Sequence, residues 1–134
     1  MIAALAYLDS SALVKLVFAE SESAALSRFL VEWRNRASSV LARTEVARVA
    51  KRVGASAEAR TRAADVLEHI ALIALDDGIV TRAGEVEPLA LRTLDAIHLA
   101  TALSLGDDLG GLVTYDRRLA DAARRAGLTV WSPR

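Results

Sequence analysis

The sequence predicts an α/β fold in which helices flank a central parallel sheet of four to five strands. Short apolar runs alternate with longer stretches in which apolar residues recur every three or four positions. Strands that alternate with helices pair in parallel, because each crossover helix returns the chain to the same end of the sheet. The length of 134 residues and the apolar fraction of 53% suit one compact domain over residues 1–134.

The first elements are one strand and two helices. The apolar run Leu5–Leu8 predicts the strand, and Asp9 is placed to cap a helix that continues through Val17. Ser21 opens the second helix. Its apolar residues have the three-and-four spacing of a buried helix face: Leu26, Phe29, Leu30 and Trp33.

The middle of the chain repeats this order. Residues 38–40 predict a second strand, and a helix with a valine stripe follows until Gly54 ends it. The next helix has its own apolar stripe, made of Ala63, Val66, Leu67 and Ile70. Residues 72–75 then predict a third strand.

The last third contains the remaining predicted elements. A helix precedes Pro88, and Thr93 begins another helix that runs to Leu105, where Gly106 ends it. Residues 112–114 predict a fourth strand, 116–126 a helix and 128–131 a final strand. The complete alternation matches a parallel sheet covered by helices.

Composition excludes several classes of protein. The chain has no Cys, which excludes disulfides, thiolate zinc sites and cysteine nucleophiles. Charges interrupt the apolar stretches well before the ~20 residues of a membrane span, so we expect a cytoplasmic protein that does not enter the membrane. The zero net charge argues against a general basic nucleic-acid binder. Arginines nevertheless cluster at 43–52, 117–118 and 124–125, where they either bind phosphate or form solvated helix faces.

Four acidic residues stand where an apolar run ends or a helix begins: Asp9, Glu45, Asp95 and Asp116. In an open parallel sheet, the loops after strand C-termini and the first turns of neighbouring helices converge on one crevice. Asp9 and Asp116 follow strand-like runs directly, which places them at that edge. We therefore expect the four side chains to lie close together.

Each acid also has a purely structural interpretation. Asp9 and Asp116 belong to the residue type that is favoured as a helix cap. Glu45 can pair with a neighbouring arginine on the surface, which contributes about 0 to 1 kcal/mol. Asp95 in a first helical turn is stabilised by the helix dipole. Its neighbours are apolar, however, and a carboxylate in a buried helix needs a partner or a cation.

Close approach of these carboxylates is unfavourable without a cation. Two unit charges ~4 Å apart repel by about 4 kcal/mol at an effective dielectric constant near 20. An all-oxygen set of carboxylates and water suits Mg²⁺ or Mn²⁺ rather than Zn²⁺. Such a site hydrolyses phosphodiesters by activating water and neutralising phosphate charge, without a nucleophilic side chain. We therefore expect a metal-dependent hydrolase.

Each acid lies in a distinctive segment: 7–16 is YLDSSALVKL, 44–46 is TEV, 94–100 is LDAIHLA and 113–119 is VTYDRRL. In order and over almost the whole chain, these segments resemble the four blocks of the PIN-domain ribonucleases, specifically the VapC-type toxins of bacterial toxin–antitoxin pairs. The resemblance implies an α/β/α sandwich and Mg²⁺- or Mn²⁺-dependent endoribonuclease activity. It also implies a homodimer and a VapB-type antitoxin that binds over the active site.

The resemblance assigns site residues as well. The metal-binding, catalytic acids of that family match Asp9, Glu45, Asp95 and Asp116. Ser11 and Thr114 fall where hydroxyls often support the site, although either side chain also suits a cap or turn. Lys15 lies in the first block without an assigned role. His98 stands among apolar neighbours, so we interpret it as a hydrogen-bonded core residue and not as a catalytic base.

Two other classes of protein do not fit these residues, and two alternatives stay open. A phospho-receiver domain needs a Lys after its last strand, whereas the lysines here are Lys15 and Lys51. An aspartate-nucleophile phosphatase would carry a second Asp two residues after the first, where this chain has Ser11. A non-catalytic PIN-fold interaction module, and a PIN nuclease outside toxin–antitoxin systems, stay open because a sequence does not show that the carboxylates converge.

Overall fold

The computed structural model describes residues 4–134, so the first three residues of the predicted domain lie outside the described part. Within residues 4–134 the chain forms five strands and seven α-helices. The strands are β1 (Leu5–Leu8), β2 (Arg36–Ser39), β3 (Ala71–Ile73), β4 (Leu109–Val113) and β5 (Val130–Trp131). The helices are α1 (Ser10–Val17), α2 (Ser23–Leu30), α3 (Ala42–Arg52), α4 (Ala57–Glu68), α5 (Asp77–Ala83), α6 (Thr93–Ser104) and α7 (Arg117–Arg125).

The strands form one parallel sheet in the order β3-β2-β1-β4-β5. From the central strand β1 the chain builds β2 and β3 on one side, then crosses to β4 on the other side. The strand order therefore reverses beside β1. In open α/β sheets, ligands bind at the carboxyl ends of the strands that flank such a reversal.

Side chains of β1 alternate between two apolar clusters, as expected for a strand that is covered on both faces. Leu8 packs with residues of α1, α2, α3 and α4, whereas Tyr7 packs with residues of α6 and α7. This arrangement confirms the predicted α/β/α sandwich. No helix within residues 4–134 combines the length and apolarity that crossing a membrane requires.

The predicted elements are all present, with ends that differ by a few residues. Trp33 was expected on the buried face of α2, but that helix ends at Leu30 and the indole ring packs beside Trp131, with centroids 4.6 Å apart. Strand β4 begins before the predicted position because it includes Gly110 and Gly111, which lack strand propensity. A Cβ on Gly110 would lie 2.5 Å from the Trp33 ring, so the glycines make room for the tryptophans.

Candidate active site

The predicted acids gather at the carboxyl edge of the sheet, around the end of β1. Asp9 follows β1 directly and caps α1, and Asp116 follows β4 and caps α7. Glu45 lies in the first turn of α3, and Asp95 in the first turn of α6. Burial raises the pKa of Asp95, and the negative charges of Asp116 and Asp9 raise it further, so these three carboxylates lie within electrostatic range of one another.

Asp9 is the most buried member of the group, with 2% of its surface exposed. Its Oδ1 accepts hydrogen bonds from the Ser11 hydroxyl at 2.7 Å and from the Ala12 backbone N–H at 3.0 Å. Its Oδ2 accepts from the Thr114 hydroxyl at 2.6 Å. Burial raises the pKa of Asp9, although these hydrogen bonds oppose the shift by stabilising the ionised form.

The two predicted supporting hydroxyls connect Asp9 to the end of β4. Ser11 donates to Asp9 and accepts from the Tyr115 backbone N–H at 3.0 Å. Thr114 donates to Asp9 and accepts from the Asp116 backbone N–H at 3.0 Å. Each hydroxyl therefore uses its donor on the carboxylate and its acceptor on the backbone. Together they fix the loop that carries Asp116 against the loop that carries Asp9.

Asp95 and Asp116 share an arginine that the sequence analysis did not single out. Arg92, immediately before α6, places Nε 3.7 Å from Asp95 Oδ2 and Nη2 3.5 Å from Asp116 Oδ2. Burial and the charge of Asp116 raise the pKa of Asp95, and the Arg92 charge partly opposes that rise. Arg92 is the N-cap residue of α6 and Asp95 is its third residue, the spacing at which residues interact in a capping box, so this contact had a sequence signal.

Glu45 points into the protein and does not form the surface pair with an arginine that its neighbours allowed. Its Oε1 lies 2.7 Å from Nε2 of His98, and its Oε2 accepts from the Ser10 hydroxyl at 2.8 Å. Burial favours the neutral acid, but the hydrogen bond and charge of His98 outweigh it and lower the pKa of Glu45. His98 is buried and fully hydrogen-bonded, as predicted, yet its partner is one of the candidate metal ligands.

The donor set of this site fits an oxygen-ligated divalent cation. Four carboxylates face one arginine and one imidazole, which leaves excess negative charge. The three hydrogen bonds to Asp9 use three of the roughly four acceptor positions of a carboxylate. In residues 4–134, however, no three His, Asp or Glu side chains already stand close enough to hold an ion. Arg92 pairs with both Asp95 and Asp116, so a cation at these two acids would have to displace its guanidinium.

A groove of about 460 Å³ opens beside these acids. Ser10, Ser11 and Glu45 form one part of its wall, and Arg48 and Arg52 of α3 form another. Lys15 also lines it, but its ammonium group binds Glu22 at 2.9 Å and Glu20 at 3.4 Å, so most of its charge is already paired. The two arginines are the cations that this groove offers to a phosphate backbone.

Comparison with known proteins identifies the family. The PIN domain profile matches residues 6–125. The chain belongs to the PIN-domain family. Ribonuclease VapC46 of Mycobacterium tuberculosis is 51% identical over 127 residues, which cover 95% of this chain and 96% of that protein. This relationship places the chain among the VapC ribonucleases. It confirms the family and the enzyme class that the sequence motifs predicted.

Solved structures show the same fold. A Klebsiella pneumoniae protein from a toxin–antitoxin complex superposes with a TM-score of 0.70 at 29% identity, covering 96% of this chain and 98% of that one. VapC20 of Mycobacterium tuberculosis, a toxin that cleaves the sarcin–ricin loop, superposes with a TM-score of 0.75 and covers 96% of this chain and 99% of its own. VapC20 is 16% identical, so this second likeness concerns the fold alone.

Replacing Arg92 by glutamine is expected to raise the affinity of the PIN domain for Mn²⁺ about fivefold. The guanidinium would compete with a cation for Asp95 and Asp116 because it pairs with both, and an exposed ion pair of this kind contributes up to about 1 kcal/mol. Isothermal titration of Mn²⁺ measures the change. Arg60→Gln is the matched control, because Arg60 is an exposed residue of α4 that binds the Ala55 backbone oxygen. Equal affinities for both variants would contradict competition at the acids.

Proposed function

We propose that this chain is the toxin of a VapBC-type pair: a single-domain endoribonuclease that inhibits translation and growth by cutting RNA. The observation that carries the proposal is the gathering of Asp9, Glu45, Asp95 and Asp116 at the strand-order reversal. In our proposal these acids are the catalytic residues and hold Mg²⁺ or Mn²⁺. When bound, such an ion lowers the pKa of water and neutralises charge on the scissile phosphate.

The surrounding residues keep the acids in place for this chemistry. Ser11 and Thr114 donate short hydrogen bonds to the two oxygens of Asp9, and these bonds keep the buried carboxylate in one orientation. Arg48 and Arg52 line the adjoining groove and are placed to contact phosphates of the bound strand. We infer that single-stranded or loop RNA is the substrate, since splayed loops expose their backbone to such a groove more readily than a duplex does.

We also propose a VapB-type antitoxin as the partner, and that the chain forms a homodimer. The Klebsiella pneumoniae relative comes from a toxin–antitoxin complex, which supports a protein partner. The position of Arg92 supports a mode of inhibition, because its guanidinium lies 3.7 Å from Asp95 and 3.5 Å from Asp116. An antitoxin arginine at the same acids would take the place of the metal. Since RNA and the partner are both cytoplasmic, we place the protein in the cytoplasm.

Cleavage of a loop-containing RNA by the purified chain tests the function. We expect cleavage with Mg²⁺ or Mn²⁺, none with excess EDTA, and recovery when Mn²⁺ is added back. Neither Mn²⁺ binding nor cleavage would favour a non-catalytic PIN-fold interaction module. Cleavage without growth inhibition, or undiminished cleavage in the co-purified antitoxin complex, would favour a PIN nuclease with another role.

A further inference from the structure

A buried chain of hydrogen bonds leads from the sheet core to Glu45. The Tyr7 hydroxyl of β1 lies 2.7 Å from Nδ1 of His98 on α6, and Nε2 of His98 lies 2.7 Å from Oε1 of Glu45 on α3. Ser10 completes the chain by donating to the other carboxylate oxygen of Glu45 at 2.8 Å. The network thus joins four elements, β1, α6, α3 and α1, and 1% or less of Tyr7 and of His98 is exposed.

The direction of these hydrogen bonds follows from the groups involved. An ionised Glu45 only accepts, so Nε2 of His98 carries the proton that bonds to it. In neutral His98, Nδ1 is then an acceptor and receives the hydroxyl proton of Tyr7, which burial keeps protonated by raising the pKa of the phenol. Tyr7 thereby supports, from the other side of the ring, the tautomer of His98 that donates to Glu45. A chain of this kind strengthens each of its hydrogen bonds.

We propose that His98 is a positioning residue that holds Glu45, on the support of Tyr7, in the orientation in which its carboxylate contributes to the cation site. This inference rests on the proposed function, because it assumes that Glu45 is a ligand. His98 itself does not touch the ion or the RNA. Its position three residues after Asp95 on α6 lets one helix present a candidate ligand and orient another.

Two polar substitutions at position 98 separate this role from simple packing. Glutamine extends its amide to the place of Nε2 and keeps a donor for Glu45, whereas asparagine reaches only the place of Nδ1 and its Tyr7 partner. We expect His98→Asn to lower Mn²⁺ affinity about 10–100-fold and His98→Gln to retain most of it, because outer-shell partners typically contribute that much. Affinity is measured by electron paramagnetic resonance of free Mn²⁺, beside RNA cleavage and urea unfolding of every variant.

Tyr7→Phe is a second test that does not alter His98 itself. Like His98→Asn, it is expected to lower Mn²⁺ affinity. In addition, His98→Asn should cause no further loss in a Glu45→Gln background, since both changes remove one interaction. Any one of three results would overturn the proposal. The first is parent-level affinity in folded Tyr7→Phe or His98→Asn, and the second is additive losses with Glu45→Gln. The third is equal losses for His98→Asn and His98→Gln. If Glu45→Gln and Asp9→Asn themselves left Mn²⁺ affinity unchanged, the proposed cation site would be wrong instead.

Discussion

Replacing Asp9 by asparagine is expected to reduce RNA cleavage at least about a hundredfold, because a lost ligand exceeds the 10–100-fold effect of a lost outer-shell partner. The fold should stay intact. Asparagine caps helices as well as aspartate does, so α1 keeps its first hydrogen bond. The Thr114 hydroxyl can accept from the new amide, and the substitution removes a charge buried at 2% exposure. We expect the free energy of unfolding to change by no more than about 1 kcal/mol.

Asp76→Asn is the matched control for this experiment. Asp76 also caps a helix, accepting from the Ile79 backbone N–H at 2.8 Å at the start of α5. The same chemical change there should leave RNA cleavage and Mn²⁺ binding at the level of the parent. Full cleavage by folded Asp9→Asn would show that Asp9 serves α1 as a cap and not the reaction as a ligand.

Replacing Thr114 by valine is expected to lower the free energy of unfolding by about 3 kcal/mol. Valine preserves the shape of the side chain but leaves Asp9 Oδ2 without its 2.6 Å donor and the Asp116 N–H without its acceptor. Hydrogen bonds to buried charged groups contribute more than neutral ones, since the unpaired group pays its full desolvation cost. Urea unfolding in EDTA measures the effect, because bound metal would add stability of its own.

Thr114→Ser separates the hydroxyl from the methyl group. Serine keeps both hydrogen bonds and loses one buried methyl, which costs about 1 kcal/mol. The expected order of stability is therefore parent, then Thr114→Ser, then Thr114→Val. A valine variant as stable as the parent, or a serine variant less stable than the valine variant, would contradict the support of Asp9 by this hydroxyl.

The helices and strands were predictable because each is encoded in a short window of residues. The apolar run of β1 and the cap at Asp9 stand next to each other in the sequence, and the same holds for β4 and Asp116. The boundaries were less predictable. Helix α2 stops before Trp33 because that ring packs against Trp131, at the opposite end of the chain. No local pattern contains this contact.

The candidate site divides in the same way. Its acids and the hydroxyls of Ser11 and Thr114 were predicted from strand ends and family motifs, and the structure places both hydroxyls on Asp9. Arg92 was overlooked although it stands three residues before Asp95, at the N-cap of the same helix. The alternative of a surface pair between Glu45 and an arginine does not hold, because Glu45 pairs with His98, which lies 53 positions away.

The sequence by itself determined which groups are available: the order of strands and helices, and the four acids at their junctions. Only the tertiary structure decided which oxygen meets which donor. Tyr7, His98 and Glu45 belong to β1, α6 and α3, and two bonds of 2.7 Å join them only when these elements pack in one arrangement. Hydrogen bonds form only within a narrow range of donor–acceptor distances and angles, a precision that residue spacing along the chain does not specify.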